Sequence, residues 1–581
     1  MDGTIEQIIA EEISIGNWNK AVQLLQNEFE NKNFSAELYI LSAAINEHFN
    51  LRDEQFDSII SGLKLDAGNY ELYVSLGDYY RTENPDLAYL CYENSLMLCP
   101  TESPDYNVIS SIFQSFKDES TLTVHNSTFI VYSYSLENTL RCINSIRSTC
   151  ASNSYEILII SNILNPNYQE LSNEFSDIKI INGHDLVTLE NAYNHAIKSA
   201  APDNNIIITN DDVAMLFNSL FMLRFGLYTD GKNCISSSQP IIYNFFDSND
   251  ILSGDFAEHA KKNNIPQKSF IQYHFIIPNT CFIIRRECIE KINYFDNDFN
   301  SDDYYSYSFT MNCINLNLSS LKTGYKTMHN HSCCIVSSHE FVKLHFTNET
   351  FSEEIFMKVK NKHGFNFYYY SSSRDELISF IKHAPQQKIN VLEVGCGLGS
   401  TLNTIAYKFP NTDIHGIEIV KNVAQYASVF CDIKCDDIET MKLDYPENYF
   451  DYIIFGDVLE HLRDPIAVLK KIRPYLKKGG YVLTSIPNIM NISIIFSLLS
   501  GKWEYSDSGI LDRTHLRFFT LDTIKTMFSK ADYTICNVGK NTNIEVDKFP
   551  KWFTDMLKDN NFAPAELFSI IQYLIKAQVN K

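Results

Sequence analysis

Several features that place proteins in membranes, on nucleic acids or in disulfide frameworks are missing from this sequence. Its 581 residues contain no apolar run of membrane-spanning length, and residues 1–6 show no basic stretch followed by an apolar one. The net charge is −23, whereas binding a nucleic-acid backbone requires a basic surface. The 14 cysteines include no CxxC pair, which is typical of reduced, mostly buried thiols. We therefore expect a cytoplasmic protein with no transmembrane segment and no nucleic-acid partner.

What the sequence does contain predicts a multidomain globular protein. Hydrophobic residues make up 45% and charged residues 20%, and the length exceeds what one core supports. The patterning changes along the chain and predicts four segments. These are a helical domain (1–118), an α/β domain (119–336), a helical linker (337–387) and a second α/β domain (388–581).

Residues 1–118 show helical spacing of apolar residues and one visible repeat. The run Leu76-Gly77-Asp78-Tyr79-Tyr80, followed by Ala88, Tyr92, Ser95 and Pro100, resembles a tetratricopeptide repeat, and a weaker copy ends 33 positions earlier. The resemblance implies a module that binds a protein partner. A plain helical bundle without repeats is the alternative.

Short β-branched runs alternate with helical segments from about residue 121. Strands are predicted at 128–132, 156–160, 178–181 and 206–209, with helices at 138–149 and 189–199. Such alternation is typical of a mostly parallel sheet.

Two acidic segments follow these strands, Asn210-Asp211-Asp212-Val213 directly after the strand at 206–209 and Asp302-Asp303 further on. With these segments, residues 125–335 resemble a family 2-type glycosyltransferase with the GT-A fold, in which the first segment occupies the place of the metal motif and the second the place of the catalytic acids. The resemblance implies a nucleotide-sugar donor and an Mg²⁺ or Mn²⁺ ion that neutralises the leaving diphosphate. It assigns base catalysis to Asp303, with Asp302 beside it. The implied metal ligands are Asn210, Asp212 and a histidine from His329-Asn330-His331.

This segment departs from the family pattern at two places. Ser161-Asn162 stands where an acidic residue usually reads the nucleotide base, and Asn210 replaces the first acid of the metal motif. An amide oxygen is a weaker ligand than a carboxylate. A degenerate glycan-binding domain is therefore the alternative to an active transferase.

A glycine-rich loop at 393–399 follows a predicted strand at 389–392 and precedes a predicted helix. Glycine lets the backbone approach a ligand closely, and the N-terminus of the helix offers free N–H groups. A dinucleotide-binding loop is the alternative, but its third glycine would fall at 400, where Ser400 stands. The residues predicted to bind a cofactor here are Glu393, Gly395, Gly397 and Gly399.

Landmarks downstream of the loop fall in the order found in class I S-adenosylmethionine (SAM) dependent methyltransferases, which residues 388–581 resemble. They are Glu418, Asp437-Ile438, the strand-like 450–455 and Gly479-Gly480. The resemblance implies a Rossmann-like domain in which the glycines hold the methionine portion of SAM. It places Glu418 at the ribose, Asp437 and Ile438 at the adenine, and Asp457 in the pocket lining.

Residues 507–519 are dense in Asp, Arg and His and resemble a segment of bacterial methyltransferases of glycan synthesis. His515 or His461 could remove a proton from a sugar hydroxyl, because imidazole titrates near neutral pH. His515 is the preferred catalytic residue. Purely structural histidines are the alternative.

Together the segments predict a bifunctional enzyme that adds a sugar and methylates the same glycan. The acceptor is expected to be a glycan or glycoprotein of bacterial surface polysaccharide or flagellin synthesis. One alternative is a methyltransferase whose middle domain only binds glycan. Another is a non-catalytic scaffold built on the helical region.

Overall fold

The chain folds into two compact units, Met1–Lys358 and Val359–Lys581. The computed structural model describes residues 3–150, 154–161, 178–182, 189–243, 254–273, 275, 280–296, 305–338 and 353–580. Within these ranges, no helix has both the length and the apolar content needed to cross a membrane.

Seven helices open the first unit, and their ends follow from the sequence. Asn84 and Ser103 cap two of them through side-chain oxygens, each followed by a proline whose missing N–H needs no partner at a first helical position. Gly77 lies against the ring of Tyr92, where an added Cβ would come within 2.4 Å, so these two helices pack closely. The helices are α1 Ile5–Ser14, α2 Trp18–Glu30, α3 Ala36–His48, α4 Arg52–Leu65, α5 Tyr70–Tyr80, α6 Pro85–Leu98 and α7 Pro104–Glu119.

A nine-stranded sheet in the order β3-β2-β1-β4-β8-β6-β9-β5, with β7 also on β9, forms the rest of this unit. Its strands are β1 Ser127–Ser133, β2 Tyr155–Ser161, β3 Lys179–Asn182, β4 Asn205–Asn210, β5 Val213–Met215, β6 Asn233–Tyr243, β7 Ile271–Tyr273, β8 Cys281–Ile284 and β9 Lys326–Ser338. The helices are α8 Leu136–Thr149, α9 Leu189–Ser199, α10 Ser219–Tyr228, α11 Asp255–Asn263, α12 Arg286–Lys291 and α13 Tyr305–Lys322.

The pairing in this sheet is mixed, which corrects the expectation of a mostly parallel sheet. The predicted strands at 128–132, 156–160 and 206–209 are confirmed, and β1 pairs in parallel with β2 and β4. Beyond β4, however, β8 runs antiparallel to both β4 and β6. The expectation rested on the β–α alternation before residue 210, and the later strands do not continue it.

Buried polar contacts join the N-terminal helices to the α/β part of this unit. The Nδ2 atom of Asn218 donates to Tyr73 Oη at 2.6 Å, and both residues are buried. Arg224 on α10 is 2% exposed and forms an ion pair with Glu93 on α6. A buried guanidinium needs such a partner, because desolvating an unpaired charge is costly.

Replacing Glu93 with alanine is therefore expected to destabilise the first unit by about 2 kcal/mol, since Arg224 would remain buried without its counter-charge. Hydrogen–deuterium exchange of 85–98 and 219–228, together with urea unfolding, would measure the loss. Glu83→Ala, which removes the exposed partner of Arg52, is the control and should leave both measurements unchanged. Equal effects of the two substitutions would contradict the prediction.

Two cysteines depart from the expectation of reduced thiols. Cys234 on β6 and Cys288 on α12 form a disulfide with a Cα–Cα distance of 5.9 Å, whereas the other 12 cysteines are free. The two residues are 54 positions apart in sequence. Their proximity depends on how α12 packs on the sheet, which cysteine spacing does not encode.

The second unit contains a seven-stranded sheet in the order β12-β11-β10-β13-β14-β16-β15. Its first five strands are parallel, and β16 runs antiparallel to both β14 and β15. The strands are β10 Ile389–Val394, β11 Thr412–Glu418, β12 Asp432–Cys435, β13 Phe450–Gly456, β14 Leu476–Pro487, β15 Tyr533–Thr542 and β16 Ile570–Val579.

Helices cover both faces of this sheet, and three precede it. The stretch 359–387, assigned to a linker from the sequence, packs as part of this compact unit. Its aromatic helices were expected, but their place beside the sheet was not. The helices are α14 Glu353–His363, α15 Phe367–Ser371, α16 Asp375–Ile378, α17 Ser400–Lys408, α18 Lys421–Ala427, α19 Pro465–Ile472, α20 Ile492–Leu499, α21 Leu521–Lys530, α22 Lys551–Asp559 and α23 Glu566–Ser569.

Candidate active site

The strand order of the second unit reverses between β10 and β13, so the loops after these strands diverge. Crevices at the carboxyl ends of parallel strands bind ligands at such a switch point. The glycine-rich loop 395–399 follows β10, and the turn Asp457–Val458 followed by the 3₁₀ helix Leu459–His461 follows β13. The candidate cofactor residues therefore lie at one edge of the sheet.

Close approach explains two of the three loop glycines. An added Cβ at Gly395 would lie 2.5 Å from Val458 Cγ2, and one at Gly397 would lie 2.7 Å from the carbonyl oxygen of Tyr370. All three glycines have positive φ, the region that L-residues with a side chain disfavour. Gly399 has no such close contact, so its backbone conformation alone favours glycine there.

The amides of this loop are hydrogen-bonded within the protein. Gly395 and Cys396 donate to the carbonyl oxygen of Ile417, and Gly397 donates to Glu418 Oε2 at 2.9 Å. Leu398 donates to the carbonyl oxygen of Tyr370 at 2.9 Å. The loop is therefore held in shape by its neighbours, and its contribution to binding is close approach.

Glu418 stands at the end of β11 and organises the adjacent loops. Its Oε1 accepts from Val420 N at 2.8 Å, its side chain is buried, and burial raises its pKa against the lowering effect of the backbone amides. Asp436 N donates to the carbonyl oxygen of Glu418, which brings Asp437 and Ile438 beside it. Ile438 is buried, whereas Asp437 is partly exposed.

Unsatisfied buried polar atoms line this edge. Glu393 Oε2, Ser400 Oγ and Asn403 Nδ2 have no hydrogen-bond partner among the described residues. Burial raises the pKa of Glu393 to about 8, against hydrogen bonding by Thr401 that lowers it. Orphaned buried groups beside a glycine cradle fit a polar ligand that approaches the backbone closely.

Residues 364–538 match the family model described as "Methyltransferase domain". The second unit contains a class I SAM-dependent methyltransferase domain. SAM is accordingly its cofactor, and the cradle with its orphaned polar atoms is suited to hold it.

Two curated methyltransferases are similar to part of the chain. The plant enzyme phosphoethanolamine N-methyltransferase 3 of Arabidopsis thaliana is 32% identical over 113 residues, which is 19% of this chain and 22% of that protein. A ubiquinone biosynthesis O-methyltransferase of Chromobacterium violaceum is 32% identical over 114 residues, covering 18% and 48%. The chain thus spans about a fifth of the plant relative. A SAM-dependent methyltransferase structure from Mesorhizobium loti shows 14% identity, a TM-score of 0.25, and coverage of 35% and 96%.

The candidate cofactor site also includes residues that sequence reasoning missed. Tyr370 supplies the carbonyl described above, and Arg374 forms an ion pair with Asp457 at 2.9 Å. Asp457 has φ +54° and also accepts from Gln572 on β16. The only sequence signal was the aromatic cluster 365–370, because α15 and α16 are too short to show helical periodicity.

Three further side chains of this domain converge beyond β13. Ligand atoms of Glu460, His461 and His515 all lie within 4.8 Å of one another. The backbone explains the meeting, because Leu516 N and Arg517 N both donate to the carbonyl oxygen of Glu460. Burial raises the pKa of Glu460 well above its usual value, and burial lowers that of His461.

The pKa of Glu393 predicts how the stability of the methyltransferase domain depends on pH. The folded pKa, about 8, lies above the ordinary value of 4.5, so the folded state binds the proton more tightly. The resulting stabilisation is complete below about pH 4.5 and is lost as pH rises through 8. Relative to Glu393→Gln, the wild type should therefore become less stable between pH 5 and 9. Its free energy of unfolding should fall with a limiting slope of about 1.4 kcal/mol per pH unit, and its melting temperature should fall with it.

Thermal unfolding at several pH values measures this difference. Glu447→Gln, which replaces an exposed carboxylate, is the control and should give a flat difference from wild type. A flat difference for Glu393→Gln as well would contradict the prediction.

The other candidate residues lie in the first unit, where the rings of His329 and His331 contact each other edge-on with centroids 4.5 Å apart. Both ring nitrogens of His329 form hydrogen bonds, one with Ser237 Oγ at 2.9 Å and the other with Gln239 Oε1 at 2.8 Å. His331 Nε2 engages Gln272, and Asp212 Oδ2 accepts from Ser337 at 3.3 Å. Among the described residues, Asp212, His329 and His331 form no cluster within metal-ligand reach.

Asn210 ends β4 and Asp211 follows it, and both residues are buried. Asp211 Oδ2 accepts from the amides of Tyr134 and Ser135, so this acid fixes the loop after β1. Burial raises the pKa of Asp211 to about 7. The Mg²⁺ or Mn²⁺ site implied by the resemblance therefore stays a prediction. The proposed catalytic acids Asp302 and Asp303 lie outside the described residues.

Proposed function

We propose that this protein methylates a hydroxyl group of a glycan with SAM as the donor. The observation that carries the proposal is the convergence of Glu460, His461 and His515 at the edge that holds the glycine cradle. Gly395 and Val458 touch across this edge, and Val458 is two residues from Glu460. An acceptor bound at the cluster would therefore lie close to the cofactor loop.

The chemistry of transfer defines what the cluster must do. SAM supplies an electrophilic methyl group on a sulfonium. The acceptor oxygen forms a bond to the methyl carbon as the carbon–sulfur bond breaks and its electron pair stays on sulfur. The hydroxyl proton must leave, and the cluster is proposed to assist that loss. Glu393, Gly395, Gly397, Gly399, Glu418, Asp437, Ile438 and Asp457 are proposed to surround the cofactor.

Exposed aromatic rings support a sugar as the acceptor. Trp503 and Tyr505 are 41% and 50% exposed. The Trp503 ring contacts Phe518 edge-on, with centroids 5.6 Å apart, and Phe518 contacts His515 at 6.5 Å. Aromatic rings offer apolar faces to the C–H surface of a sugar, and this row of rings leads to the cluster.

Replacing Trp503 with alanine is expected to raise the KM for a glycan acceptor about tenfold while SAM affinity stays unchanged, because the ring contacts acceptor only. Trp552→Ala removes another exposed tryptophan of the domain and is the control. Methyl-labelled SAM would be incubated with free glycans, glycoproteins and phosphoethanolamine. Label in phosphoethanolamine alone would reject the glycan acceptor, and equal KM values for both variants would reject the proposed surface.

A second candidate activity, sugar transfer, is favoured by one feature of the first unit. Its sheet order reverses between β1 and β4, and Asp211 and Asp212 follow β4 at that switch point. Ligands bind in such crevices. We propose that this part of the chain acts as a GT-A-type transferase with a nucleotide-sugar donor. Asp303 would be the catalytic base, with Asp302 beside it. Glycan binding without catalysis is the alternative.

Release of nucleoside diphosphate from a panel of nucleotide sugars with Mn²⁺ tests this activity. Asp212→Ala should abolish release, whereas Asp203→Ala, which removes an exposed acid before β4, should not. Equal release by wild type and Asp212→Ala would reject sugar transfer. The helices 5–119 are proposed to recruit a protein partner or the acceptor, in surface polysaccharide or flagellin glycan synthesis. Fusion would raise the local concentration of one site's product at the other.

A further inference from the structure

Glu460, His461 and His515 form an unusual group in this chain. Among the described His, Cys, Asp and Glu residues, they are the one set of three whose ligand atoms converge within 4.8 Å. They come from two segments, the 3₁₀ helix after β13 and the loop 506–519, which the carbonyl oxygen of Glu460 ties together. The convergence is thus fixed by backbone hydrogen bonds.

The carboxyl group of Glu460 is buried without a partner. Its side chain is 1% exposed, and neither carboxyl oxygen has a hydrogen-bond partner among the described residues. The Nε2 atom of His515 is 4.0 Å from Glu460 Oε1, beyond hydrogen-bond distance. Buried polar groups are nearly always satisfied, so this carboxyl group calls for a ligand between the two side chains.

Hydrogen bonds on the far side of each imidazole fix which nitrogen carries the lone pair. His515 Nδ1–H donates to the carbonyl oxygen of Ile510 at 2.9 Å. His461 Nδ1 lies 3.2 Å from the carbonyl oxygen of Thr514 and 3.1 Å from Thr514 Oγ1. Because the Thr514 hydroxyl donates its own proton to Asp512, His461 Nδ1–H is the donor in both contacts. A carbonyl oxygen can only accept. In the neutral imidazoles, Nε2 therefore carries the lone pair that can bind a metal ion. Hydrogen bonds of this kind, on the ring nitrogen that does not bind the metal, orient metal-binding histidines.

We propose that Glu460, His461 and His515 bind a divalent first-row metal ion, in the class of Zn²⁺ and Co²⁺. Two imidazoles and one carboxylate suit such ions, and three protein ligands leave one position open. Ligand atoms on a tetrahedral ion lie roughly 3.4 Å apart, so binding would draw these side chains together by about 1 Å. His461 is partly exposed, which gives the ion an approach from solvent.

The role of the ion in methyl transfer rests on the proposed function. With the acceptor hydroxyl in the open position, the ion would lower the pKa of that hydroxyl and promote loss of its proton to water. His515 then acts as a metal ligand in place of the base predicted from the sequence. The binding site itself stands on geometry alone.

Metal titration of the full chain tests the site. The protein, with exposed Cys435 and Cys536 changed to serine, is stripped with chelator and titrated with Zn²⁺ by calorimetry and with Co²⁺ by visible absorption. Glu460→Gln and His515→Ala are compared with the control His415→Ala. His415 also neighbours two acids, with Nδ1 2.8 Å from Asp432 and Nε2 3.3 Å from Asp413. Near-ultraviolet circular dichroism and SAM binding report whether each variant is folded.

One equivalent of Zn²⁺ or Co²⁺ is expected, bound at least about 100-fold more weakly by both cluster variants and normally by His415→Ala. Equal binding by wild type and folded cluster variants would overturn the site while leaving SAM binding and methyl transfer as evidence for the proposed function. Methyl transfer unchanged in metal-free protein would overturn the ion's part in transfer. Intact metal binding without label in any acceptor would support the site and reject the proposed function.

Discussion

Gly397→Ala is expected to abolish measurable SAM binding. The new Cβ would lie 2.7 Å from the carbonyl oxygen of Tyr370, which is backbone and cannot rotate away. The residue would also keep a φ of +55°, which costs about 1–2 kcal/mol for an L-residue. Relief requires the loop to move away from Tyr370 and Glu418, and that movement destroys the cradle. Calorimetric titration with SAM would measure the loss.

Gly479→Ala separates the steric contact from backbone strain. Gly479 has φ +83° in the same domain, but an added Cβ would have no neighbour closer than 3.6 Å. We expect this variant to lose some thermal stability and to bind SAM normally. Normal SAM binding by Gly397→Ala, or an equal loss in both variants, would disprove the role given to the loop.

Glu418→Gln is expected to weaken SAM binding by about 10- to 100-fold. The carboxylate accepts hydrogen bonds from the amides of Gly397 and Val420, and charged acceptors of this kind contribute about 1.5–3 kcal/mol each. A glutamine side chain offers one oxygen, so its NH₂ group must face one of these two N–H groups. The loop then loses its anchor, and the ribose loses its proposed carboxylate partner.

Titration with SAM and with S-adenosylhomocysteine would measure the Glu418 effect. Both ligands contain the ribose, so both affinities should fall together. Glu447→Gln neutralises an exposed acid of the same domain and should change neither affinity. Unchanged affinity in folded Glu418→Gln would show that the loop is held without this carboxylate.

Local sequence patterns predicted the strands that frame the candidate cofactor site. The strand at 389–392 lies within β10, and Glu418 ends β11 as expected. Such features are local, because the alternation of apolar runs and glycines sets them within a few residues. The contact between Gly397 and Tyr370 could not be predicted in this way. It joins two segments that are distant in sequence, and no local pattern relates them.

Contacts between residues that are distant in sequence could not be predicted from the sequence. His461 and His515 were both singled out, but as alternative bases. Their convergence on Glu460 depends on two backbone hydrogen bonds formed by residues 516 and 517. In the first unit, Asp212 and either His329 or His331 were expected to bind one ion, but among the described residues these three do not form a group within 4.8 Å. Motif order along a chain does not specify distances between side chains.

The carbonyl oxygen of Tyr370 has a consequence for moving this domain between proteins. It accepts from Leu398 and limits the space at Gly397, although it belongs to a helix upstream of the first strand. A transplanted piece that starts at β10 would carry every glycine and all seven strands, yet leave the loop without its outer wall. The smallest fragment that keeps the loop in shape must therefore include the backbone of Tyr370, which lies 23 residues before Glu393.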